Sequence, residues 1–259
     1  MTLSIDLEQI GQPSAYTERL EVASPIEAIW TSCADSDGSH RVLPDGRGDL
    51  ILRFDPDSST EGVRVVPVLA LPTVRPREVA LVAGCAFAGL RLQPGVLARF
   101  LACASGSVQG SAALRCIPEL ATFRTSAVEL HDIAHEFAAW FCDTWDARAP
   151  EDVQYALELI HCARGRSTIA ELAEELGMGV RRLTRQFQRH VGVSPKQYAS
   201  IVRFRFALEC IENGHSLAQV ALDSGFADQA HMSREVLRYA GRTPSLVRRN
   251  TFCSGACSS

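Results

Sequence analysis

Two kinds of apolar pattern divide the chain. In residues 15–92, apolar residues come in short runs cut by Gly and Pro. "HRVLPDGRGDLILRFD" (40–55) carries a Pro44-Asp45-Gly46 turn signal ahead of Leu50-Ile51-Leu52. "EGVRVVPVLALPTV" (61–74) and "EVALVAGCAFAGLRL" (78–92) are rich in Val, Ala and Leu. Such runs predict short strands, and a small β-barrel or sandwich made from them. From Pro94 the period lengthens. "PGVLARFLACA" predicts a short helix opened by proline. "SAVELHDIAHEFAAWFCDTW" (126–145) predicts a longer one, with Val128, Ile133, Phe137, Trp140 and Phe141 recurring mainly at three and four. That stripe suits a dimer contact, or packing on the chain's own barrel. "DARAP" (146–150) is the expected boundary. Beyond it the pattern is helical, with segments expected at 151–163, 168–175, 179–190, 195–212, 216–223, 228–240 and 244–249. The expected fold is therefore two-domain: an N-terminal α+β part, with a small β-barrel or sandwich plus helices, and a C-terminal all-α part.

The C-terminal part repeats itself. Ile169, Ala170, Leu172, Ala173, Gly177 and Met178 match Leu217, Ala218, Val220, Ala221, Gly225 and Phe226, each 48 residues on. After one inserted residue, Leu183, Arg185, Phe187, Gly192, Ser194 and Pro195 match Met232, Arg234, Val236, Gly241, Thr243 and Pro244 at an offset of 49. Each unit reads as a short helix with small alanines, a glycine turn and a longer helix. Alanine permits close packing and glycine permits the turn, which is the construction of a helix-turn-helix. Two copies are too few to stabilise a helical solenoid.

On a helical projection at about 100° per residue, Leu183, Phe187 and His190 share the inner face of the first longer helix, with Val180 near its edge. Arg181, Thr184, Arg185, Gln188 and Arg189 lie opposite. In the second, Met232, Val236 and Tyr239 point inward, and Ala230, Ser233, Arg234, Leu237 and Arg238 outward. Arg bonds guanine bidentately, and short hydroxyls bond bases or phosphates. The 18-residue segment 195–212 would be about 27 Å long as a helix. It could hold two recognition helices one DNA turn apart.

Charge sharpens the division. Residues 1–150 hold 12 Arg/Lys against 19 Asp/Glu, a net −7, while residues 151–259 hold 14 against 11, a net +3. A basic second half suits a polyanionic partner. Nine scattered cysteines, an odd number, argue against a disulfide framework. Only Cys253 and Cys257 lie close together, in the tail 251–259. No apolar run is long enough to span a bilayer and no secretory signal is evident, so a cytoplasmic protein without membrane partners is expected.

"IAELAEELGMGVRRLTRQFQRHVGVSPKQY" and "LAQVALDSGFADQAHMSREVLRYAGRTPSLVRR" resemble the paired helix-turn-helix domain of the AraC/XylS family of bacterial transcription regulators, over roughly residues 153–249. The resemblance implies a sequence-specific DNA-binding regulator that reads two adjacent major-groove segments of double-stranded DNA. Its units would be 168–190 and 216–240, within a DNA-binding domain of residues 151–250. Arg181, Thr184, Arg185, Ser233 and Arg234 would face bases, and Gln229, Ala230 and His231 would lie at the entering end of the second helix. With Arg182, Gln188, Arg189 and Arg238 these make up the candidate DNA contacts. The second unit departs from the family. Leu237 stands where a basic residue is usual, Val236, Ala240 and Val247 where aromatics are usual, and Glu235 adds negative charge. A less tightly packed second unit with fewer phosphate contacts follows as an expectation, with the first unit dominating affinity.

"RVLPDGRGDLILRF" and "GLRLQPGVLARFL" resemble the N-terminal sensing domain of one AraC-family branch. This implies an effector-binding or dimerisation domain over residues 1–147, with a small-molecule effector, a second copy of the chain and RNA polymerase as partners. Enzyme motifs are wanting. "HDIAHE" sets His131 and His135 at i, i+4, but Asp132 stands where the zincin pattern needs Glu, and no third ligand is evident. Asp45 and Asp49 flank a turn and read as turn chemistry. No catalytic residue, metal or cofactor is expected.

Overall fold

The computed structural model describes residues 17–20, 25–57, 62–104 and 106–248. Among its described residues the first half holds eight strands: β1 (Thr17–Leu20), β2 (Ile26–Cys33), β3 (Gly38–Val42), β4 (Gly48–Asp57), β5 (Gly62–Ala70), β6 (Arg77–Leu81), β7 (Ala86–Leu92) and β8 (Ser107–Gln109). Six form one antiparallel sheet in the order β1-β2-β7-β4-β5-β8, and β3 pairs with β6 alone. Among the described residues the sheet is not closed into the expected barrel. β3 and β6, GSHRV and REVAL, are largely solvent-facing and stand as a separate ribbon.

The helices of this half are α1 (Ala98–Leu101), α2 (Ser111–Cys116) and α3 (Leu130–Thr144), with a 3-10 helix at Pro118–Thr122. α1 begins later than Pro94, and α2, β8 and the 3-10 helix lack a readable periodic signal. Alternation puts Leu50, Leu52 and Phe54 of β4 on the core face. α3 covers that face with Ile133, Ala134, Phe137, Ala138 and Phe141, all buried in one cluster with the strands. The stripe considered for a dimer contact is thus used within the chain. α3 also starts four residues later than expected. Thr125 Oγ1 accepts the Ala127 N–H at 3.0 Å, Glu129 is extended, and Val128 is left exposed outside the helix.

The second half is helical: α4 (Glu151–Cys162), α5 (Ile169–Glu175), α6 (Val180–His190), α7 (Pro195–Glu212), α8 (Leu217–Asp223) and α9 (Gln229–Ala240), then a helical turn at 244–248. α5, α6, α8 and α9 each begin one residue after the expected start because Thr168, Gly179, Ser216 and Asp228 are their N-caps. The repeat is visible in the hydrogen bonds. Gly177 and Gly225 are left-handed, at φ +59° and +70°. Met178 N–H bonds Ala173 O as Phe226 N–H bonds Ala221 O, each at 2.9 Å. Both are the six-to-one bond of a Schellman turn, which glycine at the left-handed position makes accessible.

α7 is the spine. Ser194 and Gln197 form a capping box at its start, with Pro195 in the first turn. Tyr198, Ala199 and Val202 complete one apolar cluster with α4, α5 and α6, whereas Ile201, Phe204, Ala207, Leu208 and Ile211 complete another with α8 and α9. The second cluster is closed despite Val236 and Ala240 standing where aromatics were expected. Both are buried, and the Phe204 ring lies against Tyr239 with centroids 5.2 Å apart.

The two halves touch at the ends of both longer helices. Leu97 N–H donates to His190 O at 3.3 Å at the end of α6, and Leu101 lies over Gly192. Arg41 of β3 donates to Ala240 O at 3.3 Å at the end of α9. Gly46 rests on the Tyr198 ring, so closely that a Cβ there would come within 2.5 Å of it.

Candidate nucleic-acid interface

α6 and α9 each bury one side and turn the other to solvent. In α6, Leu183 and Phe187 are buried, while Arg181, Arg185, Gln188 and Arg189 are exposed. Among the described residues no carboxylate lies within ion-pair distance of Arg181, Arg185 or Arg189. Arg182 is also exposed but turns towards α4, 3.9 Å from Asp152. Thr184 is half-buried and donates its hydroxyl to Val180 O at 2.9 Å, leaving the oxygen lone pairs as acceptors. Gly179 supplies no side-chain cap, so the first turn of α6 presents open N–H groups as well as arginines.

In α9, Met232, Val236 and Tyr239 are buried. Gln229, Ala230 and Arg234 are exposed, Ser233 and His231 half-buried. His231 packs edge-on against Phe226, ring centroids 5.4 Å apart, and its backbone N–H is capped by Asp228 Oδ1 at 2.6 Å. Arg238 lies over the Tyr239 ring and 3.4 Å from Glu235. Leu237 is 48 % exposed, with nothing polar to offer. α6 thus carries four arginines and no acid; α9 carries two arginines and Glu235, one of the two engaged by that acid.

Between the units lies a concave surface of about 570 Å³ lined by Arg166, Lys196, Arg203, His231 and Arg238, with Glu235 the one carboxylate on it. Arg203 is partly committed, donating to Gly165 O at 2.7 Å. No sequence signal placed Lys196 and Arg203 there; their position follows from α7 crossing between the units.

A second concavity, about 980 Å³, opens between the halves. Pro25, Val96, Trp145 and Leu157 supply apolar wall, His161 and Tyr198 polar groups. Among the described residues the buried Trp145 indole N–H has no hydrogen-bond partner. His161 Nε2 and the Tyr198 hydroxyl are 2.9 Å apart. Burial, then the nearby Arg47, holds the His161 pKa below its usual value. His131 and His135 stack edge-on on α3, centroids 4.4 Å apart, and among the described residues no three potential ligands gather around a metal position. Cys253 and Cys257 lie outside the described residues.

A family model described as a helix-turn-helix domain matches residues 172–250. The virulence regulon transcriptional activator VirF of Yersinia enterocolitica is 31% identical over 81 residues, 31% of this chain and 30% of that protein. The HTH-type transcriptional regulator Rv1931c of Mycobacterium tuberculosis is 32% identical over 88 residues, 34% of each. The match spans about a third of the length of these relatives. The solved structure of ToxT from Vibrio cholerae aligns with 92% of this chain and 98% of its own at a TM-score of 0.46 and 9% identity. The family match falls on the repeat, so residues 172–250 are similar to a helix-turn-helix domain.

Proposed function

We propose that the chain is a sequence-specific DNA-binding transcription regulator. One observation carries this reading: two helix-turn-helix units hang on one spine helix, each turning Arg towards solvent at matching repeat positions, Arg185 and Arg234. Residues 151–250 are the DNA-binding domain, with units 168–190 and 216–240 entering two adjacent major-groove segments. Arg185 and Arg234 read bases. Arg181, Arg189, Gln188 and Thr184 on the first unit, and Gln229, Ser233, His231 and Arg238 on the second, position the backbone or add base contacts. Arg182, beside Asp152, contributes at the edge of the footprint.

Residues 1–147 are the regulatory domain and 251–259 a tail. We place the effector in the cleft between the halves, where apolar Pro25, Val96, Trp145 and Leu157 meet the polar groups of His161 and Tyr198. A largely apolar small molecule with one hydrogen-bond acceptor fits those surroundings. The chain acts in the bacterial cytoplasm and catalyses no reaction.

The test is binding to a duplex selected from a random pool by the full chain. Arg185→Ala and Arg234→Ala should each weaken binding by about 1–3 kcal/mol and relax preference at one position. Unchanged affinity and salt dependence in both variants would overturn the assignment.

A further inference from the structure

The concave surface between the two units is built from three elements. Its floor is α7, where Ala199 and Ser200 are small and leave room. One wall is the turn into α5, with Arg166; the other is α9, with His231 and Arg238. The floor and the first wall are locked together. Arg203 of α7 donates to Gly165 O from Nε at 3.2 Å and from Nη2 at 2.7 Å. Gly165 is left-handed, at φ +71°, and a Cβ there would come within 2.1 Å of Ala199 O. Arg203 also reaches the second unit, its guanidinium carbon 5.6 Å from the centre of the Phe226 ring. The chain's own contacts therefore fix the shape of the concavity.

Its charge is unbalanced. Arg166, Lys196, Arg203 and Arg238 bring four cations to it, and Glu235 brings one carboxylate. Glu235 lies 3.4 Å from Arg238. Among the described residues no carboxylate lies within ion-pair distance of Arg166, Lys196 or Arg203. Arg203 is half-buried, and burial lowers its pKa. A partly desolvated cation without a paired carboxylate is stabilised by an incoming anion. Lys196, the sole lysine of the chain, is exposed in the first turn of α7.

We propose that this concavity seats a backbone phosphate of the duplex between the two major-groove segments, held by Lys196, Arg166 and Arg203. Two successive major-groove segments on one face of a duplex are separated by a minor groove, and its sugar-phosphate backbones pass between the reading helices. The concavity lies on the spine that joins those helices. His231, in the first turn of α9, lines it, so it opens on the side by which α9 enters its groove. The site rests on the DNA-binding reading above and adds a contact to the spacer that neither recognition helix makes. A phosphate carries no sequence, so the site supplies affinity and fixes the register of both units without altering base preference.

The full chain, alone and bound to the selected duplex, is treated with acetic anhydride and digested with trypsin. Trypsin cuts after Lys196 only where it is unmodified, so the acetylated peptide 190–203 measures its modification. The duplex should slow acetylation about fivefold or more. Lys196→Gln should weaken binding about fivefold near physiological salt, lower the salt slope by about one and keep the preferred sequence. Arg205→Gln, which removes an exposed cation of α7 outside the concavity, should change none of these. If the duplex binds but either the protection or the change in slope is missing, the site is overturned and the DNA-binding reading stands. An equal effect of Arg205→Gln assigns the loss to overall charge and overturns the site. Protection by inorganic pyrophosphate but not by the duplex assigns the concavity to a phosphorylated small molecule and overturns the site as well. If the chain selects no duplex, the DNA-binding reading falls and the site falls with it.

Discussion

The two helix-turn-helix units share a backbone plan but differ in almost everything added to it. The first opens α5 with a reciprocal capping box, Thr168 and Glu171; the second opens α8 with the Ser216 hydroxyl accepting one N–H. α6 begins on an uncapped glycine, and α9 on Asp228, whose carboxylate seals its first turn. α6 turns out four arginines; α9 offers Arg234 and a partly engaged Arg238. Where the first unit has Leu176, the second has Ser224, wholly buried, its hydroxyl without a partner among the described residues. Open N–H groups and free guanidinium groups attract phosphate. A capping carboxylate and Glu235 repel it. The difference teaches that a repeated fold need not be repeated chemistry: the first unit presents an uncapped first turn and four arginines, the second a carboxylate-capped turn and Glu235 beside Arg238.

The largest test of this contrast is structural. Phe187→Ala, emptying a fully buried site of the first cluster, should cost about 3–5 kcal/mol in denaturant unfolding. Its counterpart Val236→Ala removes less and should cost about 2 kcal/mol. Equal losses would mean that the second cluster depends on α9 as much as the first does on α6. Ser224→Ala should leave stability unchanged or raise it by about 1 kcal/mol, because a buried hydroxyl without a partner is removed; a loss in the same melts would show that the hydroxyl is satisfied. Glu235→Gln should tighten duplex binding about two- to threefold and steepen its salt dependence, by releasing Arg238. A titration showing no change would place Arg238 away from the duplex.

The smallest effect is acid sensitivity. Burial, then Arg189, lowers the His190 pKa at the end of α6, where the second unit has Tyr239. A histidine with a lowered folded pKa is neutral when the unfolded chain already takes up a proton. Its contribution is intact above about pH 6.5 and is lost as pH falls through that value towards the folded pKa. Hydrogen-exchange protection, corrected for the intrinsic pH dependence of amide exchange, should therefore fall between pH 7.5 and 5.5 in 183–191 more than in 232–240, and equal responses would remove His190 as the cause.

The helical half was legible because its signals are local. Thr168-x-x-Glu171, Ser194-x-x-Gln197 and the glycines at 177 and 225 announce caps and turns within a few residues. The outward arginines followed from the same periodicity. The first half was legible only as strand-rich. β2 pairs with β7, about sixty residues away, and no local pattern says that β3 and β6 will stand apart. The start of α3 was misread because apolar Val128 extended the stripe, while Thr125 turned the backbone before it. The concave surface between the units and the contacts from Leu97 and Arg41 join residues far apart in sequence, so only the packed chain brings them together.

α7 closes both apolar clusters, with Tyr198, Ala199 and Val202 on one side and Phe204, Ala207 and Ile211 towards the other. Neither cluster can melt without baring part of a helix that walls the other. The two units are thus one cooperative folding unit. On the DNA-binding function proposed above, a duplex held by the first unit would suppress fraying in the second before the second has met a base. Occupancy of one groove would thereby favour occupancy of the next, a positive cooperativity within a single polypeptide that needs no change of shape.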